Sequence, residues 1–206
     1  MERYFLQDVA MQRVRINTCL RYMALLATAL LQGCASYDNL VSADAVPSET
    51  QAYIAGDFVT ESATLTTAFV LTNLATRAEY ILPFSTVKGV KAGATQTNVI
   101  NVPPGEYRLT DWIVYNSFWG PGIWGREFRK PVQDPEFEAS FAVPAGQVLF
   151  LGKFSTNNTW SYGYSSSVTR GRVKALPITA SEANSLWSQG FPNFFLLKVA
   201  CLICRN

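Results

Sequence analysis

From residue 51 onward, apolar and polar positions follow the two-residue period of strands far more often than the 3.6-residue period of a helix. Tyr53–Val59 and Thr64–Asn73 open the series, the second rich in β-branched residues. Glu79–Phe84 follows a turn at Leu74–Arg77, and Asn98–Val102 runs into Pro103-Pro104-Gly105, a strong turn signal. Strict alternation along Glu106–Tyr115 places Tyr107, Leu109, Asp111, Ile113 and Tyr115 on one face. A bulge in that strand would instead bring Trp112 and Val114 inward. Phe137–Val143 alternates with Phe137, Ala139, Phe141 and Val143 on one side. After a turn at Pro144-Ala145-Gly146, Gln147–Ser155 has the composition of a buried strand, and Trp160–Val168 adds another. A helix is predicted only at Ser181–Gln189, with Ser181 as N-cap and Glu182 in its first turn. Short strands at this spacing, separated by Pro and Gly, predict an all-β fold. The expected architecture is a single antiparallel β-sandwich over residues 51–206 with one short C-terminal helix.

Before residue 51 the pattern changes. Residues 35–50 are small, polar and Pro-containing, which predicts a flexible tether. Tyr22–Leu31 is an apolar run of ten residues. A bilayer-spanning helix takes roughly 20, so this run has the length of an export signal's apolar region. Arg13, Arg15 and Arg21 precede it with no acid from Gln12 onward, and Met11 offers an alternative start. The run closes on Leu31-Gln32-Gly33-Cys34. This resembles the lipobox of bacterial lipoproteins. Leu31 supplies the apolar residue, Gly33 the small residue before the cut, and Cys34 the thiol that carries lipid. The resemblance implies a signal peptide over residues 1–33, cleavage between Gly33 and Cys34, and lipidation of Cys34. Gln32 departs from the small or hydroxylated residue more common there. Ala35, where Asp would signal inner-membrane retention, implies the outer membrane of a Gram-negative host, with the domain facing the periplasm. Each buried methylene contributes about 0.8 kcal/mol, so two or three acyl chains hold permanently.

Composition changes the picture in three ways. Removing residues 1–33 takes away four Lys/Arg and two Asp/Glu, which leaves a formal net charge of zero. No basic patch points to nucleic acid, and none is expected as a partner. The chain has no histidine, which removes Ser-His-Asp, Cys-His and zincin arrangements. No catalytic residue, cofactor or metal is therefore expected, although paired carboxylates remain open to a hydrolase. Of the four cysteines, Cys19 lies in the signal and Cys34 would carry lipid. That leaves Cys201 and Cys204, which an oxidising periplasm allows to pair with each other or across chains. The alternative is two small buried thiols in a terminal apolar strand. The tail that carries them differs in style from the rest and is an uncertain part of the domain.

Two lead-in turns carry a second resemblance. Val102-Pro103-Pro104-Gly105-Glu106-Tyr107 is similar to the apolar-Pro-x-Gly-x-Tyr motif of PEGA-like and transthyretin-like sandwiches. Val143-Pro144-Ala145-Gly146-Gln147-Val148-Leu149-Phe150-Leu151-Gly152 resembles a strand of DUF2846-type periplasmic lipoproteins. The likeness covers residues 51–175 and implies a fold, with no catalytic residues to carry over.

The candidate binding residues cluster at Tyr115–Gly125, an aromatic stretch with Gly120, Pro121, Gly122 and Gly125. Tyr115, Trp119 and Trp124 are suited to stacking on sugar faces or a protein, with Asn116, Arg126 and Glu127 bonding at the rim. The competing reading folds both tryptophans back on the core. Asn157–Tyr164 would extend such a surface. Glu136 and Glu138, about 7 Å apart along a strand, are the carboxylate pair a hydrolase would need. Solvated face residues explain them as well. Arg170–Lys174 suits either anionic headgroups or a charged edge strand. The expected protein is a membrane-anchored envelope lipoprotein that binds or supports without catalysis. Its partners are the membrane, through its acyl chains, and an envelope protein or glycan. The alternatives are a carbohydrate- or peptidoglycan-binding module using residues 115–125 and a carboxylate-dependent hydrolase.

Overall fold

Alternation along β1 (Ala52–Val59) sends Ala52, Ile54 and Phe58 to one face of its sheet and Tyr53 and Ala55 to the other. Both faces are covered, so the strand is apolar almost throughout. The computed structural model describes residues 39–59, 65–84, 93–116, 128–132, 137, 139–160 and 169–205. The other described strands are β2 (Leu65–Asn73), β3 (Glu79–Pro83), β4 (Thr95–Val102), β5 (Gly105–Asn116), β6 (Phe128–Pro131), β7 (Phe141–Val143), β8 (Gln147–Trp160), β9 (Thr169–Leu176) and β10 (Lys198–Cys201). Helix α1 (Ala180–Gly190) and a 3-10 turn at Pro192–Phe194 stand between β9 and β10.

The strands form two five-stranded sheets. The first runs β10-β8-β1-β4, and β9 continues beyond β10 along the same edge of β8. The second runs β3-β2-β5-β6, with β7 and β6 sharing one edge of β5. Pairing is antiparallel except where β8 meets β1 and β10. The purely antiparallel expectation is corrected there. Long crossovers, one through the second sheet and one through α1, bring the chain back in its original direction.

The inner faces of both sheets contribute to one core. Phe58 stacks on Phe84 at 4.2 Å, and Phe69 stands edge-on to Phe154 at 4.8 Å, so rings from β1 and β8 meet rings from β2 and the end of β3. Phe137 joins them 5.6 Å from Phe154. The buried Asn98 amide donates to the Pro83 carbonyl at 2.8 Å, so this enclosed polar group is satisfied.

Both long strands are bulged. In β5, Val70 pairs with Asp111 and Leu71 with Leu109, which leaves Thr110 as the extra residue. Tyr107, Leu109 and then Trp112 therefore line the inner core, while Ile113 joins a cluster with Ala68, Val70 and Ile81. The bulged register, not strict alternation, is the one observed. The Val114 side chain lies outside the described residues. In β8, Leu151 and Gly152 together oppose Gly56.

The outer face of the first sheet is covered by α1 and the turn after it. Ala183, Trp187, Phe191 and Phe194 pack on Tyr53, Val99, Val148 and Phe150. The helix starts at Ala180, and its N-cap is Thr179 rather than Ser181. Thr179 Oγ1 accepts from the Glu182 N–H at 3.2 Å, and Glu182 Oε2 accepts from the Thr179 N–H at 2.8 Å. The three-residue spacing of Thr179 and Glu182 makes this capping box, and Ser181 has no such partner position. Those bonds from Thr179 hold the Glu182 carboxyl below the usual carboxylate range.

One further expectation is corrected, and two further segments are placed. Phe137 is helical in conformation, and among the described residues of the 137–143 stretch only Phe141–Val143 is strand. Its alternation reflects the burial of Phe137, Phe141 and Val143 in the core. Residues ahead of β1 dock on the domain. Leu40 bridges to Ile100, the Val41 N–H donates to Val99 O at 3.0 Å, and Val41 and Ala45 pack against the cluster beneath α1. The polar composition of residues 35–50 concealed these apolar contacts. The C-terminal tail is likewise part of the fold. Cys201 and Cys204 form a disulfide, Leu202 N–H donates to Phe150 O at 2.9 Å, and Arg205 N–H donates to Ile178 O at 3.0 Å. Trp160 ends β8, and residues 161–168 lie outside the described residues.

Candidate functional site

Of the residues the sequence singles out, Gly33, Cys34, Trp119, Trp124, Arg126, Glu127, Glu136 and Glu138 lie outside the described residues. Tyr115 and Asn116 are the last residues of β5, with backbone pairing to Thr66 and Leu65, and their side chains are also outside the described set. β5 and β6, which flank the aromatic segment in sequence, pair antiparallel. Arg170–Lys174 falls in β9, which pairs with β8 and has Lys174 exposed. It is an edge strand bearing charge.

The structure assembles a polar cluster that sequence reasoning did not single out. Asp57 of β1 pairs in register with Thr97 of β4 on one side and Lys153 of β8 on the other. Alternation puts all three on the face that carries α1, beyond the apolar patch of Ala55, Val99 and Phe150. Asp57 is 1% exposed, its Oδ1 accepts from Thr97 Oγ1 at 3.2 Å, and Lys153 Nζ stands 3.1 Å from its Oδ2. That last contact is an ion pair off the hydrogen-bond line, since Oδ2 has no hydrogen-bond partner. Enclosing a carboxylate is costly unless it is paired, and Lys153 is the cation that faces Asp57. The signal was present in the sequence. Asp57 interrupts one apolar strand and Lys153 another, and opposite charges in two buried strands find each other.

Lys153 also borders an open cleft of about 270 Å³, with Pro177, Ile178, Glu182, Ser185 and Leu186. The cleft is small and mixed in character. Its cation is held by Asp57 from below, and the Glu182 carboxylate is held by Thr179. Each charge thus already has a structural partner within the fold.

A second ionic cluster lies on the second sheet. Arg129 Nη2 stands 2.6 Å from Glu79 Oε1 and 2.6 Å from Asp111 Oδ2, so one guanidinium ties β6 to β3 and β5. The two carboxylates raise the already high proton affinity of Arg129, Glu79 first. Its exposure of 41% limits it to a weak surface tie. Among the described residues no group of three or more His, Cys, Asp or Glu side chains is placed to hold a metal.

No family model matches the chain, and no curated protein sequence matches it. Among solved structures, a leucine-rich repeat protein from Bacteroides thetaiotaomicron aligns at 17% identity with a TM-score of 0.28. The alignment covers 53% of this chain and 14% of that one, and a likeness this distant carries no argument about fold or function.

Proposed function

We propose that this chain is a lipid-anchored protein of the bacterial envelope. A transthyretin/PEGA-like β-sandwich, carried on an acylated Cys34, works there by binding or as a structural component, without catalysis. The observation that carries this reading is Leu31-Gln32-Gly33-Cys34 at the end of a ten-residue apolar run preceded by three arginines. The division of the chain supports it, because the second of its two compact units begins at Ala35, directly after the cysteine. The sandwich reading is supported by the single core to which both sheets contribute. It is supported further by Tyr107, whose hydroxyl donates to Pro103 O at 2.5 Å, closing the corner before β5. A non-catalytic role fits a domain whose enclosed carboxylate and its lysine are committed to each other. Ala35 after the cysteine favours the outer membrane with the domain in the periplasm.

The test is the intact mass of full-length protein expressed in a Gram-negative host, wild type beside Cys34→Ala. The wild type is expected to begin at Cys34 and to carry two or three acyl chains, and the variant none. A wild-type mass that retains residues 1–33 without lipid removes the proposal.

A further inference from the structure

Three large apolar side chains stand in solvent near where the chain enters the domain. Val46 is 85% exposed, Phe195 75% and Leu196 80%. The Asn193 amide brings the two segments together, donating to Asp44 O at 3.0 Å and to Ala45 O at 3.4 Å. Phe195 and Leu196 form the tip of a turn closed by the Leu197 N–H donating to Phe194 O at 3.0 Å. Phe194 beneath the tip is fully buried, so the turn is fixed to the domain from below. The fold itself requires no apolar residue at the tip. Lys198, exposed, follows at the start of β10.

The register of the first sheet shows which end this is. Val199 pairs with Val148, and Val148 pairs with Tyr53, so β10, β8 and β1 begin together. Ala52, the first residue of β1, pairs with Val102, the last of β4. Leu40 bridges antiparallel to Ile100, and the Val41 N–H donates to Val99 O, so the chain arrives from the Val102 end of β4. The lead-in and the apolar tip therefore share one end of the sheet. Leu40 is the sixth residue after Cys34, a reach of about 20 Å at most when fully extended.

We propose that this end of the domain is a membrane-contacting surface. Val46, Phe195 and Leu196 insert at the headgroup–acyl boundary of the bilayer, and Lys198 sits at the level of anionic headgroups. The occupant follows from the geometry: a lipid anchor at Cys34 holds the bilayer within that short reach, on the side from which the chain arrives. The inference rests on the lipid-anchor reading. It goes further by giving the domain one orientation on the membrane. Three side chains bind a bilayer weakly alone, but the anchor makes their contact intramolecular, where a weak contact suffices.

The experiment uses full-length protein reconstituted into phosphatidylethanolamine/phosphatidylglycerol vesicles, with and without brominated acyl chains. Phe195→Trp reports on the tip, and its exposed position leaves the fold undisturbed. Lys174→Trp is the control, since Lys174 pairs with Ser155, eight residues along β8 from Gln147 and roughly 25 Å away. The wild-type signal of the native tryptophans is subtracted. Brominated lipid is expected to quench the added Phe195→Trp fluorescence at least twofold and to leave that of Lys174→Trp unchanged. Equal or absent quenching in protein whose mass shows an acylated Cys34 overturns the contact surface and leaves the anchor standing. The same holds if Phe195→Trp escapes the lipid because the tip is covered in a dimer. If the protein carries no lipid yet Phe195→Trp is still quenched, the surface is supported and the anchor reading falls.

Discussion

β5 and β8 are the two longest of the described strands, and the chain approaches both through similar turns, Val102-Pro103-Pro104-Gly105 and Val143-Pro144-Ala145-Gly146. The turns are secured differently. Gly105 is needed for space, since a Cβ there would stand 2.9 Å from Asn73 Nδ2. Tyr107, buried and bonded to Pro103 O, latches the corner with a side chain. Burial raises the pKa of that hydroxyl, so it stays protonated as the donor the latch requires. Gly146 instead takes a φ of 67°, and its N–H donates to Gln51 O at 2.8 Å. The corresponding side chain, Val148, is buried beneath α1 and bonds nothing. The bulges differ in the same sense. Thr110 fills the one in β5, with its hydroxyl 3.0 Å from that of Thr72. In β8 the bulge needs glycine, because Ile203 of the disulfide loop occupies the space. The same local pattern thus starts both strands, and what packs on each decides how it is held.

The contrast predicts that β8 is the less tolerant strand. Gly152→Ala combines a φ of 142° with a Cβ 2.4 Å from Ile203 Cγ1. It should cost about 4 kcal/mol, the sum of backbone strain and overpacking. Urea unfolding measures it, and a cost below about 1 kcal/mol would mean that the disulfide loop simply moves aside. Lys153→Met should cost about 3 kcal/mol by leaving Asp57 enclosed and unpaired. The double variant Asp57→Asn/Lys153→Met should recover most of that loss. Failure to recover would place the importance of Lys153 in packing rather than charge. On the β5 side, Tyr107→Phe should cost about 1 kcal/mol, the value of one buried hydrogen bond. An unchanged unfolding midpoint would show that the corner holds by packing alone. Arg129→Gln should cost less than about 1 kcal/mol, and the difference should shrink in 1 M salt. A larger, salt-insensitive loss would make the tie between β6, β3 and β5 as important as the core.

The strands were legible because their pattern is local. Local pattern located β1 to β3 and β5 closely, and β4 and β8 in part, since β4 starts three residues earlier and β8 runs five residues further than expected; β5 carried enough apolar residues on both faces to suggest its bulge. Parallel pairing of β8 was not legible, since direction depends on where distant segments dock. Nor was the docking of residues 40–50, where Leu40, Val41 and Ala45 are scattered among polar neighbours. Asp57 and Lys153 were visible as charges in apolar strands, but their pairing needed the register of the first sheet. The short β6 has too few residues for any period to register. Phe195 and Leu196 were not legible as a surface pair, because composition does not distinguish a buried apolar pair from one at a turn tip.

The measurement that tests the account most directly is fractionation of host envelopes on a density gradient, wild type beside Cys34→Ala. The account predicts that wild type sediments with the outer membrane and resists extraction by high salt, while the variant does not reach that fraction. Wild type and variant distributed identically would contradict it.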